Sequence, residues 1–286
     1  YQFSQLRFNS KKSLMILLKP SQKRVNKGVK MSVRKSFLIV IVILILTMAL
    51  VGSNVYADFL HPRAEIPDRG KEIIITSMDF DDYLPAAAFN WKHNEYIVVW
   101  HRDWFAGPRM IEGARISNTG KILDKFTIAS GLKSRAQPDV AYDPVNDRYL
   151  VVFIFDKNGD GSDWDIFGRF IPWDGPNTSL KEFPICEWGS GQWNPKLAYA
   201  RAEEEFLIVW NNIVQNVKPY ISGRRITAAN GNFPGSLPDL TISDLSEERV
   251  NVDVAYNLAH NEYLVVYDNI YDILATRYTG DLLHNF

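Results

Sequence analysis

The sequence predicts an all-β protein, a β-propeller of four-stranded antiparallel blades, and three observations predict it. The first is recurrence. Pro85-Ala86-Ala87-Ala88-Phe89 returns as Pro138-Asp139-Val140-Ala141-Tyr142, as Pro195-Lys196-Leu197-Ala198-Tyr199 and as Val252-Asp253-Val254-Ala255-Tyr256, with starts 53, 57 and 57 residues apart. A fixed period of this size marks a repeat architecture, in which each unit buries its apolar faces only against its neighbours. The second is that each copy runs through the same short β-type segments separated by turn residues. The third is that helical periodicity is missing from all four copies, which argues against helical solenoids of similar period; a parallel β-helix has shorter coils.

The recurring pentapeptide is the first strand of each blade. Seven residues after its aromatic comes a second segment: Tyr96-Ile97-Val98-Val99-Trp100, Tyr149-Leu150-Val151-Val152-Phe153, Phe206-Leu207-Ile208-Val209-Trp210 and Tyr263-Leu264-Val265-Val266-Tyr267. Five β-branched or aromatic residues between polar turns suit a strand covered on both faces and are too few for a helix. The third strand covers Ile111–Ile116, Ile166–Ile171, Ile221–Ile226 and Ile273–Tyr278, with Gly113, Gly168, Gly223 and Ala275 at one common place. Glycine weakens a strand interior, so its return predicts a place where a neighbouring sheet comes close. After a turn at Gly120, Gly175, Gly231 or Gly280, a fourth strand reads Phe126–Ser130, Phe183–Cys186 and Leu240–Ser243. Four such strands repeated radially describe a propeller blade.

Ile73–Ser77 stands eight residues before Pro85, as Ser130 does before Pro138, and reads as a fourth strand without its own first three. The last copy stops at Phe286, which aligns with Phe126. The chain therefore reads as about four blades, truncated at the C-terminus. The other reading is ring closure, with Ile73–Ser77 completing the last blade.

Residues 1–30 read as an untranslated or leader segment ahead of a start at Met31. Residues 31–57 have the pattern of a signal peptide: Arg34 and Lys35, an apolar stretch from Phe37 to Val51, and Val55-Tyr56-Ala57 as a small-residue cleavage site. An uncleaved membrane anchor is the competing reading, and the only membrane contact expected. Residues 58–70 form a short leader and residues 71–286 the propeller, with blades starting near 85, 138, 195 and 252. The protein is thus expected to be secreted or held at the cell surface.

The first 57 residues contain ten of the 32 Lys and Arg and none of the 33 Asp and Glu, so the remainder carries 22 basic against 33 acidic residues, about −11. Such a surface disfavours nucleic acid, whose binding rests on cationic contacts to phosphates. The one cysteine, Cys186, leaves no intrachain disulfide to form and reads as a small buried residue.

These motifs resemble a family of secreted bacterial and archaeal propeller-like repeats with a consensus near P-x-x-A-Y, Y-L-V-V-W and D-I-Y-G-Q-R-I followed by a glycine turn. The resemblance covers residues 71–286, and Asp165-Ile166-Phe167-Gly168 and Asp272-Ile273 carry its middle element. It implies fold and export rather than a particular activity. The Trp-Asp signature of WD40 repeats and the sialidase S-x-D-x-G-x-x-W box are missing.

Loops that follow second and fourth strands emerge on one face, where propellers tend to place binding groups. His101, Arg102, Asp103, Trp104, Trp188 and Trp193 fall there and are the candidate ligand-binding residues, with Asn211 and Asn212 beside them. Mixed carboxylates and tryptophans suit a glycan, and a protein ligand is the other candidate. A solvated loop face with tryptophans packed between blades explains the same residues. Asp156, Asn158 and Asp160 match positions one, three and five of a Ca2+ loop, with Gly161 at the sixth; Phe167 stands where the closing carboxylate belongs, so Asp163 or Asp165 would have to supply it. A glycine-rich hairpin turn accounts for them without metal. Arg115, Arg225 and Arg277 recur at one place, taken by Phe170 in the second copy, and are expected to pair with acids or blade edges. The five histidines show no metal-ligand spacing and no nucleophile elbow is present.

Two function classes remain. One is an exported, non-enzymatic module that binds a glycan or a protein. The alternative is a glycoside hydrolase or lyase that uses paired carboxylates near the central channel, drawn from Asp81, Asp139 and Asp253.

Overall fold

The computed structural model describes residues 72–77, 80–104, 107–176, 179–189, 191–227, 240–243, 245–269 and 271–279. The segments assigned above to leader and signal, the turns at Gly231 and Gly280, and Phe286 lie outside them. The described residues belong to one compact unit, Ile66–Phe286, and contain no helix.

The chain folds as four antiparallel sheets in sequence order, each in simple up-and-down order. The first holds β1 (Asp81–Asn90), β2 (Glu95–Asp103), β3 (Met110–Ser117) and β4 (Ile122–Ala129). The second holds β5 (Arg135–Asp143), β6 (Arg148–Asp156), β7 (Trp164–Pro172) and β8 (Phe183–Cys186). The third holds β9 (Gly191–Ala200), β10 (Glu205–Ile213), β11 (Tyr220–Thr227) and β12 (Leu240–Thr241). In the fourth, β13 (Val250–Asn257), β14 (Glu262–Asp268) and β15 (Ile273–Thr279) are described. The first strands pack against one another in series. Their ends from all four sheets converge on a concavity of about 420 Å³ lined by Phe89, Trp91, Tyr142, Tyr199, Arg201 and Tyr256. Arg201 of the third sheet reaches over the ring of Trp91 of the first, 5.5 Å away. The sheets are therefore the blades of a β-propeller.

The repeat signature is explained by one cross-strand pair. Phe89 faces Tyr96, Tyr142 faces Tyr149, Tyr199 faces Phe206 and Tyr256 faces Tyr263, with ring centroids 4.9 to 5.3 Å apart. Opposed aromatic pairs of this kind add to sheet stability beyond the area they bury. Each hairpin between them ends on a residue in the left-handed region, Asn94, Asp147, Glu204 or Asn261. In three blades the first-strand Asx side chain, Asn90, Asp143 or Asn257, accepts amides of that hairpin.

Second-strand residues alternate between neighbours. Ile97 and Val99 meet Tyr149, Val151 and Phe153 between the first and second blades. Leu150, Val152 and Ile154 meet Phe206, Ile208 and Trp210 between the second and third. Leu207 and Val209 meet Tyr263 and Val265 between the third and fourth. A polar latch crosses each joint: Arg169 donates to the Ile128 carbonyl, Arg224 to that of Ile185, and Tyr278 to that of Ile242.

Two expectations are corrected. The mid-strand glycines do not admit a neighbouring sheet; they lie under fourth-strand side chains of their own blade. A Cβ would stand 2.8 Å from Ile128 and Phe126 at Gly113, 2.9 Å from Ile185 at Gly168 and 2.7 Å from Ile242 at Gly223. Ile73–Ser77 is not paired as a strand. It lies along the first blade, where Ile73 rests on Gly120 and the Thr76 hydroxyl donates to Asp82.

Of the two kinds of partner expected for the recurring arginines, acids or blade edges, the structure shows acids: Arg115 pairs with Glu95, Arg225 with Glu205 and Arg277 with Glu262. In the second blade the roles are exchanged, and Arg148 of β6 lies over Phe170 of β7, 3.7 Å from its centroid. Cys186 is buried, as the sequence implied.

Candidate functional site

Each first strand carries a bulge. At its centre Leu84, Gln137, Asn194 and Asn251 have φ of 50°, 51°, 53° and 53°, a region that residues other than glycine rarely enter. A bulge bends its strand and re-aims side chains. Here it turns Tyr83, Gln137 and Trp193 toward a cavity of about 390 Å³ on the predicted loop face, completed by His101, Asp103 and Arg109.

The cavity groups are tied together. Arg109 Nε donates to Asp103 Oδ1 at 2.6 Å, and His101 Nε2 lies 3.9 Å from the same oxygen. The ring of Tyr83 tilts over His101, centroids 5.6 Å apart. His101 is 5% exposed, and its Nδ1 has no hydrogen-bond partner. Burial lowers its pKa in spite of Asp103, so it is neutral near pH 7. Gln137 Oε1 accepts the Asn194 amide at 2.7 Å and fixes the second blade to the third at the rim.

Of the six predicted ligand-binding residues, the structure brings together His101, Asp103 and Trp193. Arg102 sits between His101 and Asp103 in β2, so strand alternation turns it to the other side. There it binds Asp82, also held by Trp100 and Thr76. Burial opposes ionisation of Asp82, but these bonds prevail and hold its pKa low. Trp104 stacks on Phe80, centroids 5.2 Å apart, and Trp188 is half exposed; neither lines the cavity. Asn211 and Asn212 are buried between strands, bonded to the Arg249 carbonyl and to Ser222. The sequence reading missed Tyr83, Gln137 and Arg109. The asparagines at two of the four bulge positions were the signal, since asparagine tolerates the left-handed conformation.

Deeper along the first strands, Ala86, Asp139, Lys196 and Asp253 occupy one register, opposite Val99, Val152, Val209 and Val266. Asp139 Oδ2 accepts the Leu197 amide of the next blade at 3.0 Å. Burial raises the Asp139 pKa, Lys196 and that amide oppose the rise, and Asp253 adds to it.

The Ca2+ expectation falls on a self-contained turn. Asp156 accepts the amides of Gly159 and Gly161 at 2.8 and 3.0 Å, and Asp160 accepts the amide and hydroxyl of Ser162. Both glycines are left-handed. Among the described residues no three His, Cys, Asp or Glu side chains gather as a metal site. The hairpin thus engages Asp156 and Asp160 with its own backbone, and Asp156, Asn158, Asp160 and Asp163 form no assembled cation cluster.

Beside this turn Asp165 is 1% exposed, and its Oδ2 has no hydrogen-bond partner. Burial, then the charge of Asp163, raise its pKa from 3.8 to about 6. A carboxyl raised in the folded state holds its proton after the unfolded chain has lost it, so its contribution to stability falls as pH rises from about 4 through 6. Asp165→Asn is expected to leave stability unchanged at pH 4 and to raise it by about 1–3 kcal/mol at pH 7. Denaturant titrations at the two pH values check this; equal effects at both would contradict it.

No protein-family model matches the chain, and no curated protein matches it in sequence. Solved structures do resemble it. An endo-arabinase from Bacteroides thetaiotaomicron VPI-5482 is 13% identical with a TM-score of 0.53, covering 73% of this chain and 80% of that one. The Hadza microbial sialidase Hz136 is 10% identical with a TM-score of 0.52, covering 70% and 44%. The GH93 alpha-L-arabinofuranosidase of Fusarium graminearum, solved with arabinobiose, is 12% identical with a TM-score of 0.50, covering 69% and 60%. The chain thus spans less than two thirds of the last two. At these identities the likeness establishes the propeller fold alone.

Proposed function

We propose that this protein is a carbohydrate-directed propeller that cleaves a glycosidic bond, exported by the segment at residues 31–57. The sugar rests on Tyr83, His101, Asp103, Arg109 and Trp193. Asp139 is the proton donor and Asp253 the second carboxylate. The observation that carries this reading is the Asp139 carboxyl: half-buried on β5, raised in pKa by desolvation, and under the influence of a second acid at the equivalent place of another blade. A carboxyl with a raised pKa is suited to protonate a leaving glycosidic oxygen while a second carboxyl attacks or activates water. Support also comes from the neighbours, which include an endo-arabinase, a sialidase and an arabinofuranosidase that holds arabinobiose.

A second reading, a binding module without turnover, is favoured by the Leu197 amide on Asp139, because that bond gives the carboxylate a purely structural task. The two are separated by assaying arabino-oligosaccharides, sialosides and aryl glycosides alongside direct binding to the same sugars. Cleavage predicts that Asp139→Asn loses at least about a thousandfold in kcat, with little change in melting temperature because an amide oxygen still accepts from Leu197. Binding without turnover by the unmodified protein would leave the module reading. Neither binding nor turnover would remove the carbohydrate assignment.

A further inference from the structure

We infer that the concavity where the first-strand hairpins converge is a second binding site, at the far end of the first strands from the cavity beside His101, and that it takes a sugar bearing a carboxylate. Two positions of the repeat build it. The strands supply the aromatics that end the recurring pentapeptide, Phe89, Tyr142, Tyr199 and Tyr256. The hydroxyls of Tyr142 and Tyr256 donate to Asp147 and Asn261 of their own hairpins at 2.6 and 2.7 Å, so these rings offer the cavity apolar surface. The turns supply the residue two places further on, and here the copies differ: Trp91, Pro144, Arg201 and Leu258. One turn thus brings an aromatic platform and another a cation, with the Arg201 guanidinium 5.5 Å from the Trp91 ring centroid.

Arg201 is the exception among the arginines of the described residues. Every other one meets a carboxylate or a backbone carbonyl. Arg201 meets neither and is exposed, although acids outnumber bases beyond residue 57. Nearby acids are engaged elsewhere: Glu203 accepts from Asn261, and Asp143 accepts the amides of Val145 and Asn146. A guanidinium without a counter-ion, beside a ring that is 51% exposed, complements a ligand with a carboxylate and an apolar ring face. The carboxylate takes the fork of Arg201 and the ring lies on Trp91. A uronic acid has both parts, and a volume of about 420 Å³ is in the range of small-ligand sites. The choice of a sugar over another ringed carboxylate rests on the carbohydrate reading above.

Titration calorimetry of the full chain tests this with a galacturonic acid trisaccharide, galactotriose and benzoate. The unmodified protein is expected to bind the first and not the other two. Arg201→Gln is expected to weaken that binding by about 10–100-fold, the contribution of hydrogen bonds to a charged group, with an unchanged melting temperature. Trp91→Ala is expected to weaken it as well, and Asp139→Asn to bind as the unmodified protein does. No binding of the acidic trisaccharide, equal binding of galactotriose or benzoate, or an Arg201→Gln variant that binds as tightly as before would each overturn the inference. A protein that cleaves no glycan yet binds the acidic trisaccharide through Arg201 would refute the catalytic reading and support this one.

Discussion

Arg225→Ala is expected to destabilise the protein by about 3–5 kcal/mol, because it leaves a buried carboxylate without its counter-ion. Arg225 Nε and Nη2 donate to the two oxygens of Glu205 at 2.5 and 2.6 Å, and each side chain is 4% exposed. The repeat supplies its own control. The equivalent Arg277–Glu262 pair has the same chemistry, but its arginine side chain is 69% exposed, and exposed pairs contribute about 0–1 kcal/mol. Arg277→Ala should therefore cost no more than about 1 kcal/mol. Urea unfolding of both variants measures the difference. Equal losses would mean that burial does not set the strength of this pair.

Trp210→Ala should cost a similar amount, about 3–5 kcal/mol, from lost packing and a cavity that its neighbours fill only in part. Trp210 is 0% exposed in the joint between the second and third blades. Its indole Nε1 donates to Asn212 Oδ1 at 3.1 Å, and Asn212 Nδ2 donates to the Ser222 hydroxyl at 2.7 Å. Truncation would thus also orphan a buried amide oxygen, at about 1–3 kcal/mol. Trp210→Phe keeps most of the ring and isolates that second cost. A melting temperature little changed in Trp210→Ala, with Trp210→Phe equally mild, would show that this joint relaxes freely.

The candidate site was legible only in part. His101, Asp103 and Trp193 could be assigned to one face by counting strands, since alternate turns return the chain to the same side. Arg102 was assigned with them, yet successive strand residues point to opposite faces, and its partner Asp82 lies across the sheet on β1. The third-strand glycines signalled a close approach correctly but not its source. Weakening of a strand by glycine says that space is needed and not whose atoms take it. Asp156 and Asp160 had ligand spacing, but oxygen side chains at that spacing serve backbone amides equally well when glycines let the turn close on itself.

By itself the sequence determined the all-β class, the order of the strands and their recurrence as antiparallel blades. Each of these follows from local periodicity and from comparison of one copy with the next, and both are written along the chain. Tertiary structure alone decided which residues of different blades meet: the bulge that brings Tyr83, Gln137 and Trp193 to one cavity, and the desolvation and Leu197 amide that act on Asp139. Contacts between blades depend on the twist and spacing of whole sheets, and neither quantity is carried by any one segment.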